Sequence, residues 1–320
     1  MGITNHYTIL CEPPNKTYID AFSPRIDGDY VFWFDDSERE HGSKAQELNI
    51  DEKGVWRFFN PNRSEKITFI PVMEAKNILP FTWPELIDMC CTVSGCESLF
   101  RPFLCRGDLN KVKAFIVGYN PATPIVHNEI DIGVYAYMML HYEQFENFIR
   151  EYRKGCLTKT GRKKRELSPT RQGITWCQEW LRPLISGTVL EMNVNAYPTP
   201  KSNLLKVEKE EVVEKGHKIF GFLLKRFRPE IVVMHGNETF EQFIRYSKEW
   251  NIEVRPCIPS AIEEIQRVGS IAIVYYEDGT EGKVFLCRHF CRINMYKSQF
   301  NDFRETVEKE NGKIGRLLNT

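Results

Sequence analysis

The feature that most constrains this chain is a short apolar strand that stops in a glycine–proline turn. The run Ala114-Phe115-Ile116-Val117 is apolar without interruption, which is typical of a strand buried on both faces of a parallel sheet. Gly118-Tyr119-Asn120-Pro121 follows, and glycine and proline end the strand in a tight turn. Ligands bind at the carboxyl ends of parallel strands. Asn120 is therefore a candidate active-site residue, with an ordinary strand exit as the alternative interpretation.

Three later segments repeat this arrangement of an apolar strand followed by a polar side chain. Segments 189–195, 231–234 and 283–287 each favour a buried strand, the last as the second arm of a hairpin. Helical patterns separate the first three strands, which predicts parallel strands whose ends lie on one side of a sheet. The polar side chains at the four strand ends are those of Asn120, Asn195, His235 and His289. We expect them to converge on one cleft, although each alone is more typical of a structural residue.

The order of these elements predicts an α/β fold with a small additional module. We expect three αβα layers around a central, mainly parallel, four-stranded sheet in residues 81–320. Residues 1–80 are rich in aromatic and turn-forming residues, and segments 30–34, 54–59 and 67–72 favour strands. This pattern predicts a β-rich module or lid over residues 1–80.

Composition excludes several classes of protein. The chain has 320 residues with 43 basic and 43 acidic side chains, so a nucleic-acid partner has to be sought in local charge. No run approaches the roughly 18 apolar residues of a membrane span, and the amino terminus has no signal-peptide pattern. Ten cysteines without a secretory signal favour reduced thiols. We therefore expect a cytoplasmic protein without membrane association.

Four of the cysteines cluster before the central strand. Cys90, Cys91, Cys96 and Cys105 have the spacing CC-x4-C-x8-C, which contains no CxxC pair and does not match common zinc or iron–sulfur patterns. Packing of cysteine as a small apolar residue is the favoured interpretation, and a metal site is the alternative.

Residues 151–171 form the most strongly charged segment. They contain eight basic and two acidic side chains, including the adjacent Arg162, Lys163, Lys164 and Arg165. Gly155, Gly161 and Pro169 favour a loop over a helix. A phosphate backbone would attract such a basic insertion, and a solvated loop is the alternative.

The four strand ends, in this order, resemble the motifs of the uracil-DNA glycosylase superfamily. The G-x-N-P motif at 118–121 is closest to the mismatch-specific and single-strand-selective branches, and N-x-x-P at 195–198, His235-Gly236 and the late His289 follow. The resemblance covers roughly residues 83–303 and none of the first 80. Phe290 and Cys291 stand where the family has proline and serine, which puts a phosphate contact in doubt.

The resemblance implies a DNA glycosylase that flips out a base and hydrolyses its N-glycosidic bond. None of the four motifs contains a lysine that could form a Schiff base, so we expect a monofunctional enzyme. The additional segments and the changed motifs favour uracil or a modified pyrimidine, such as a 5-substituted base of phage DNA. Asn120 would position the attacking water, and His289 would stabilise negative charge on the departing base. Asn195, or Asn193 if the motif aligns two residues earlier, would bind the edge of the base. Tyr135 and Tyr119 are the candidate stacking residues.

The resemblance also implies how DNA is bound. The candidate DNA contacts are Arg292 and the basic group Arg162, Lys163, Lys164 and Arg165, and Ile293 or Met295 would enter the duplex as a wedge. The chemistry requires no metal or other cofactor, and we expect a monomer with DNA as partner. A nucleic-acid-binding protein that has lost catalysis is the alternative function. A nucleotide-dependent hydrolase is a weaker one, because the chain has neither a P-loop nor a GxGxxG motif.

Overall fold

The computed structural model of the chain has two compact units. The first comprises Met1–Leu99 and Ile125–Met138, and the second comprises Phe100–Pro124 and Met139–Thr320. The structure describes residues 6–12, 16–34, 40–50, 56–62, 65–71, 81, 83–154, 168–250, 252–254 and 261–312.

The first unit is built on a seven-stranded antiparallel sheet. Its strands are β1 (His6–Glu12), β2 (Lys16–Asp27), β3 (Tyr30–Phe34), β4 (Glu40–Lys44), β5 (Gln46–Ile50), β6 (Trp56–Asn60) and β7 (Glu65–Pro71). They are arranged in the order β4-β3-β2-β1-β7-β6-β5. Alternate residues of β3, β6 and β7 point to one side, where Val31, Trp33, Phe58, Ile67 and Phe69 form an apolar core. The three strands predicted before residue 80 correspond to β3, β6 and β7.

Two helices follow these strands in the chain, α1 (Trp83–Cys90) and α2 (Ile132–Leu140). The remaining helices are α3 (Tyr142–Lys154), α4 (Pro169–Ile185), α5 (Ser202–Leu205), α6 (Glu210–Phe227), α7 (Asn237–Tyr246), α8 (Ile262–Val268) and α9 (Lys297–Glu310). The strands of the second unit are β8 (Leu104–Cys105), β9 (Val112–Gly118), β10 (Thr188–Asn193), β11 (Ile231–His235), β12 (Ile252–Val254), β13 (Ala272–Tyr275) and β14 (Glu281–Cys287).

The central sheet of the second unit confirms the α/β class but not the predicted number of strands. It has seven strands in the order β12-β13-β14-β11-β9-β10-β8. The four at its centre, β14, β11, β9 and β10, are parallel, whereas β8, β12 and β13 add antiparallel edges. The expectation of four strands was wrong for two reasons. The first arm of the predicted hairpin, β13, joins the sheet beside β14, and β8 and β12 are too short, at two and three residues, to produce a recognisable apolar pattern.

Helices cover both faces of this sheet. On one face, Ala114 and Ile116 of β9 pack in an apolar core with residues of α4 and α9. On the other face, Phe115 meets Phe227 of α6 edge to face at 6.1 Å. The uninterrupted apolar run of β9 is explained by this burial on both sides.

The basic segment is partly helical, which corrects the prediction of a loop over residues 151–171. Helix α3 continues to Lys154, and α4 begins at Pro169, where the Ser168 hydroxyl accepts a hydrogen bond from the backbone N–H of Arg171 at 3.1 Å. Proline at the first position of a helix is favourable, because its missing N–H would have no partner there. The predicted DNA contacts Arg162, Lys163, Lys164 and Arg165 lie outside the described residues.

Two further expectations concern the membrane and the cysteines. None of the helices in the described residues has both the length and the apolar character needed to cross a membrane. Cys90 and Cys105 are buried. Within the described ranges, no three side chains of His, Cys, Asp or Glu are grouped so that they could hold a metal ion.

Candidate functional site

A cavity of about 980 Å³ lies in the second unit at the carboxyl ends of the parallel strands. In the parallel ladders Asn193 of β10 lies beside Gly118 of β9, and His235 of β11 lies beside Cys287 of β14. Because these strands end level with one another, the residues at their ends share one edge of the sheet. The residues that this edge contributes to the cavity include Gly118, Asn120, Asn193, His235 and His289.

The side chains of Asn193 and His235 both approach Gly118 closely. A Cβ at this position would lie 2.6 Å from Asn193 Oδ1 and 3.1 Å from His235 Nε2. Any larger residue would therefore displace the amide, the imidazole or both. The glycine of the G-x-N-P motif is explained by this close approach.

Asn120 is held in one orientation by its amide nitrogen. Nδ2 donates a hydrogen bond to Thr199 Oγ1 at 2.7 Å and lies 3.4 Å from the carbonyl oxygen of Tyr197. Thr199 is buried and its hydroxyl donates in turn to the carbonyl of Lys201 at 2.7 Å. With the nitrogen engaged in this way, Oδ1 of Asn120 has no partner among the described residues. The half-buried Asn120 can therefore accept a hydrogen bond from a water in the cavity.

The loop after Asn120 is fixed by a buried arginine. Arg101 is only 8% exposed and donates to the carbonyls of Ala122, at 3.1 Å, and Thr123, at 2.8 Å. Its guanidinium lies 4.8 Å from the centre of the Phe145 ring, a favourable cation–π geometry. Thr123 has a left-handed φ of 68°, so the loop needs such contacts to hold its conformation.

The two asparagines proposed to read the base occupy different environments. Asn193 lines the cavity, is half-buried, and has no side-chain hydrogen bond within the described ranges. Asn195 is fully buried and does not line the cavity; its Nδ2 donates to the Val213 carbonyl at 2.9 Å and its Oδ1 accepts from the Tyr197 N–H at 2.9 Å. Asn195 also packs directly on Gly216 of α6. The expectation that Asn195 contacts a base does not fit this geometry, whereas Asn193 is available for that contact.

His235 and His289 form a pair at the ends of β11 and β14, which lie on the other side of β9 from β10. The rings of His235 and His289 are 4.8 Å apart and nearly perpendicular. Burial, with a smaller contribution from His289, lowers the pKa of His235 well below its usual range. Partial removal from water lowers the pKa of His289; Glu238 opposes this shift and Arg292 adds to it. Both imidazoles are therefore neutral at pH 7.

Backbone geometry selects the tautomer of His289. The residue keeps part of its surface exposed, and Nδ1 accepts a hydrogen bond from the Cys291 N–H at 3.2 Å. In a neutral imidazole, an accepting Nδ1 leaves the proton on Nε2. His289 can therefore donate a hydrogen bond from Nε2. Gly236, with a φ of 91°, brings its own strand end close to this ring, since a Cβ there would lie 3.1 Å from His289 Cδ2.

The two tyrosines proposed as stacking residues are also in different positions. Tyr119 lines the cavity and is 8% exposed. Burial, with Glu238 and Glu241 nearby, raises the pKa of its hydroxyl. Tyr135 belongs to the first unit, is fully buried, and does not line the cavity. Its predicted role in stacking on a base does not fit this position.

The segment after His289 contains the remaining predicted contacts. Arg292 is exposed and lines the cavity. Ile293 is only 8% exposed and packs in the apolar core, whereas Met295 is 64% exposed. Of the two candidate wedges, Met295 is the exposed one, and its sulfur lies 3.8 Å from Arg292 Nη1. The neighbouring Arg288 is held by Glu263 and by Gln299 Oε1 at 2.6 Å.

Another wall of the cavity carries a buried ion cluster. Arg171 of α4 pairs with Glu191 of β10 and, at 3.2 Å, with Glu146 of α3, and all three residues line the cavity. Burial alone would lower the pKa of Arg171, but Glu191, Tyr142 and Glu146 raise it above its ordinary value. Burial, with opposing contributions from Arg171 and Glu191, raises the pKa of Tyr142 to about 12. Arg171 is therefore charged and Tyr142 is neutral at physiological pH.

Sequence reasoning missed three functional candidates, Arg101, Thr199 and Glu191. The contacts of Arg101 and Thr199 are long-range and leave no local pattern. Glu191 gives a signal that could have been used, because it is a charged residue flanked by the apolar residues Val189, Leu190 and Met192 of β10. A buried charge in a central strand is costly and is a common mark of function.

The arrangement can orient a water with Asn120 and donate a hydrogen bond from a neutral His289 within one cavity. The cavity lining carries both signs of charge: its cationic residues include Arg101, Arg153 and Arg292, and its carboxylates are those of Glu146, Glu191 and Glu238. A comparison of the chain with models of known protein families found no match, and a comparison with curated proteins found none either.

Proposed function

We propose that this chain is a monofunctional DNA glycosylase that hydrolyses the N-glycosidic bond of a flipped uracil or modified pyrimidine. The observation that carries the proposal is that Asn120 and His289 line the same cavity. A water-orienting amide and a neutral imidazole donor are the two groups that this hydrolysis needs. Their motifs are also those in which the chain resembles the uracil-DNA glycosylase superfamily.

In the proposed reaction, the target nucleotide leaves the stack and its base enters the cavity. Water bound to Asn120 Oδ1 attacks C1′ of the sugar while the bond from C1′ to the base nitrogen breaks. The electron pair of that bond stays on the base, and the hydrogen bond from His289 Nε2 stabilises the resulting negative charge. The water proton passes to solvent, and the products are the free base and an abasic site.

Two further features support this assignment over other enzyme classes. A carboxamide is a weak base, so Asn120 suits a reaction in which departure of the base, rather than activation of water, is the difficult step. The volume of about 980 Å³ exceeds what a pyrimidine ring alone needs, so the cavity has room for a base that carries a substituent.

The first test is base release from duplex and single-stranded oligonucleotides that carry uracil, hydroxymethylated or glucosylated pyrimidines. We expect release from at least one substrate, and a fall in the single-turnover rate of about 10²–10⁴-fold in Asn120→Ala. Borohydride should trap no covalent adduct if the enzyme is monofunctional; trapping would indicate an amine nucleophile, for which Lys201 in the cavity lining is the candidate.

The same experiment separates the enzyme from the alternative of a nucleic-acid-binding protein without catalysis. Binding of every oligonucleotide without release of any base, unchanged in Asn120→Ala, would favour the binding protein. Asn110→Ala is a suitable control, because Asn110 is exposed and does not line the cavity.

A further inference from the structure

Glu191 is an unusual residue for the middle of a central strand. It is 8% exposed, it lies between β8 and β9 in the sheet, and its side chain lines the cavity. Oε2 pairs with Arg171. In the part of the chain that the structure describes, Oε1 has no hydrogen-bond partner.

The charges around Glu191 do not cancel. Arg171 is shared between Glu191 and Glu146, and the three side chains are 15%, 10% and 13% exposed in the order Arg171, Glu191, Glu146. Two carboxylates and one guanidinium leave the cluster with one negative charge. A buried ion cluster of this kind contributes little to stability compared with apolar residues of the same size. Its position in a cavity wall therefore suggests a role in recognising a ligand.

The strand places Glu191 directly below the asparagine that is available to a base. Residues 191 and 193 are two apart in β10 and so point to the same face, roughly 6.6 Å from each other along the strand. Their neighbours in β9 are Ile116 and Gly118, and both line the cavity. A base that rests over Gly118 and contacts Asn193 would have its inner edge directed at Glu191.

We infer that Glu191 is a specificity-determining residue that selects pyrimidines with an amino group at C4 over pyrimidines with a carbonyl there. This inference rests on the proposed function. A carboxylate paired with arginine can only accept hydrogen bonds. The N4 amino group of cytosine is a donor to such an acceptor, whereas O4 of uracil is itself an acceptor and is repelled.

The charge of the cluster acts in the same direction. Uracil leaves as an anion, and a nearby net negative charge raises the free energy of that anion. A cytosine-type base that takes up a proton from solvent at N3 leaves without net charge. A carboxylate facing N3 and N4 stabilises that protonated edge, and His289 Nε2 still donates to the side of the base that receives the electron pair of the broken bond. The proton is returned to the pool by the attacking water, so the overall reaction still consumes one water and yields the neutral base.

The test compares pairs of duplexes that differ only in the group at C4 of one base. The pairs are cytosine with uracil, their 5-hydroxymethyl derivatives, and the glucosylated forms of those derivatives. For the pairs that are turned over, we expect the wild-type protein to release the cytosine-type base at least about 10-fold faster in single turnover. Uracil is intrinsically the better leaving group, so this preference would have to come from the protein.

Glu191→Gln gives an independent readout, because glutamine keeps the shape but offers an N–H donor to O4. We expect the preference to shrink or reverse, while Glu143→Gln, an exposed substitution on α3 outside the cavity lining, keeps it. Equal or faster release of uracil-type bases by the wild type would overturn the inference and leave the glycosylase proposal standing. So would an unchanged preference in a Glu191→Gln protein that melts like the wild type. Release from no pair would remove the proposed function itself.

Discussion

The two sides of the cavity differ in how firmly hydrogen bonds hold their candidate catalytic side chains. On the β9–β10 side, Asn120 is bonded to Thr199, and Arg101 holds the following loop by two carbonyls. On the β11–β14 side, His235 has a buried Nδ1 without a hydrogen-bond partner among the described residues. His289 on that side accepts one bond, from a backbone N–H two residues away.

The difference indicates that one side of the cavity positions a side chain, whereas the other side sets the protonation state of its imidazoles. Satisfied hydrogen bonds fix a side chain in one geometry, which is what an amide that orients water requires. Imidazoles with few hydrogen bonds have pKa values that depend mainly on burial and on nearby charge. Burial lowers the pKa of both His235 and His289. We therefore call the two sides the positioning side and the imidazole side.

After Asn120→Ala, the largest expected effect is on the imidazole side. His289→Ala should lower the single-turnover rate of base release about 10²–10³-fold, because the donor to the developing negative charge is lost. Binding of an oligonucleotide with an uncleavable nucleotide should change little, since the contact strengthens only as charge develops. Rates and binding are measured on the same duplex by product analysis and fluorescence anisotropy.

His127→Ala is the matched control, because His127 is exposed, lies in the first unit and has its ring bonded to the Glu97 carbonyl. A His289→Ala protein that keeps the wild-type rate would remove the distinction between the two sides. It would also show that the motif around His289 serves only to position the loop.

The residues at the strand ends, Asn120 and His289, are the part of the site that the sequence can predict. Asn120 and His289 were predicted because a glycine or a hairpin marks each strand end locally, and because helices between strands imply parallel ends. Their roles remain predictions, but their presence in one cavity follows from the order of elements. Patterns of this kind depend only on neighbours in the chain.

The parts that were not predicted depend on where a strand stops and on distant contacts. Strand β10 ends at Asn193, whereas its pattern was extended to Asn195 because Pro198 was the nearest breaker. Beyond Asn193 the chain leaves the sheet, so Asn195 turns to α6 instead of following Asn193 into the cavity. Arg101 donates hydrogen bonds to the carbonyls of Ala122 and Thr123, which lie 21 and 22 residues later in the chain. Local sequence patterns do not predict contacts between residues so far apart.

An intermediate effect is expected on the positioning side. Arg101→Lys keeps the charge but cannot donate to the Ala122 and Thr123 carbonyls in the same forked geometry. We expect a fall of about 10-fold in the single-turnover rate with little change in substrate binding, because a small displacement of Asn120 is costly to an oriented reaction. Amide hydrogen exchange at Ala122 and Thr123, the two residues between Pro121 and Pro124, should accelerate, because the loop loses two of its contacts.

Arg106→Lys is the control for Arg101→Lys, since Arg106 is exposed and does not line the cavity. Faster exchange without any change in rate would mean that the loop is held by Arg101 but that Asn120 is not positioned through it. An unchanged rate with unchanged exchange would show that the contacts of Thr199 suffice for the whole positioning side.

The smallest expected effect is on the pH dependence of the free energy of unfolding. His235 is compared here with His217, a buried histidine whose Nδ1 lies 3.1 Å from the Val194 carbonyl. Burial lowers the pKa of His217 to about 4, with the contact to Val194 opposing the shift. The unfolded chain therefore binds a proton at a higher pH than the folded chain, and folding becomes less stable as pH falls below about 6.5. Between pH 7 and pH 6, His217 should contribute a loss of about 0.7 kcal/mol in the free energy of unfolding.

The lowered pKa of His235 has the same sign, so both His217→Gln and His235→Asn should reduce the loss of stability on acidification. Denaturant unfolding at pH 7 and pH 6 measures each protein against its own value at pH 7, which cancels the cost of the substitution itself. If His235→Asn has the same pH dependence as the wild type while His217→Gln does not, the proton affinity of His235 is the same in the folded and unfolded chains. His235 would then be as well solvated as an exposed histidine. Burial would no longer explain why His235 and His289 are neutral at pH 7.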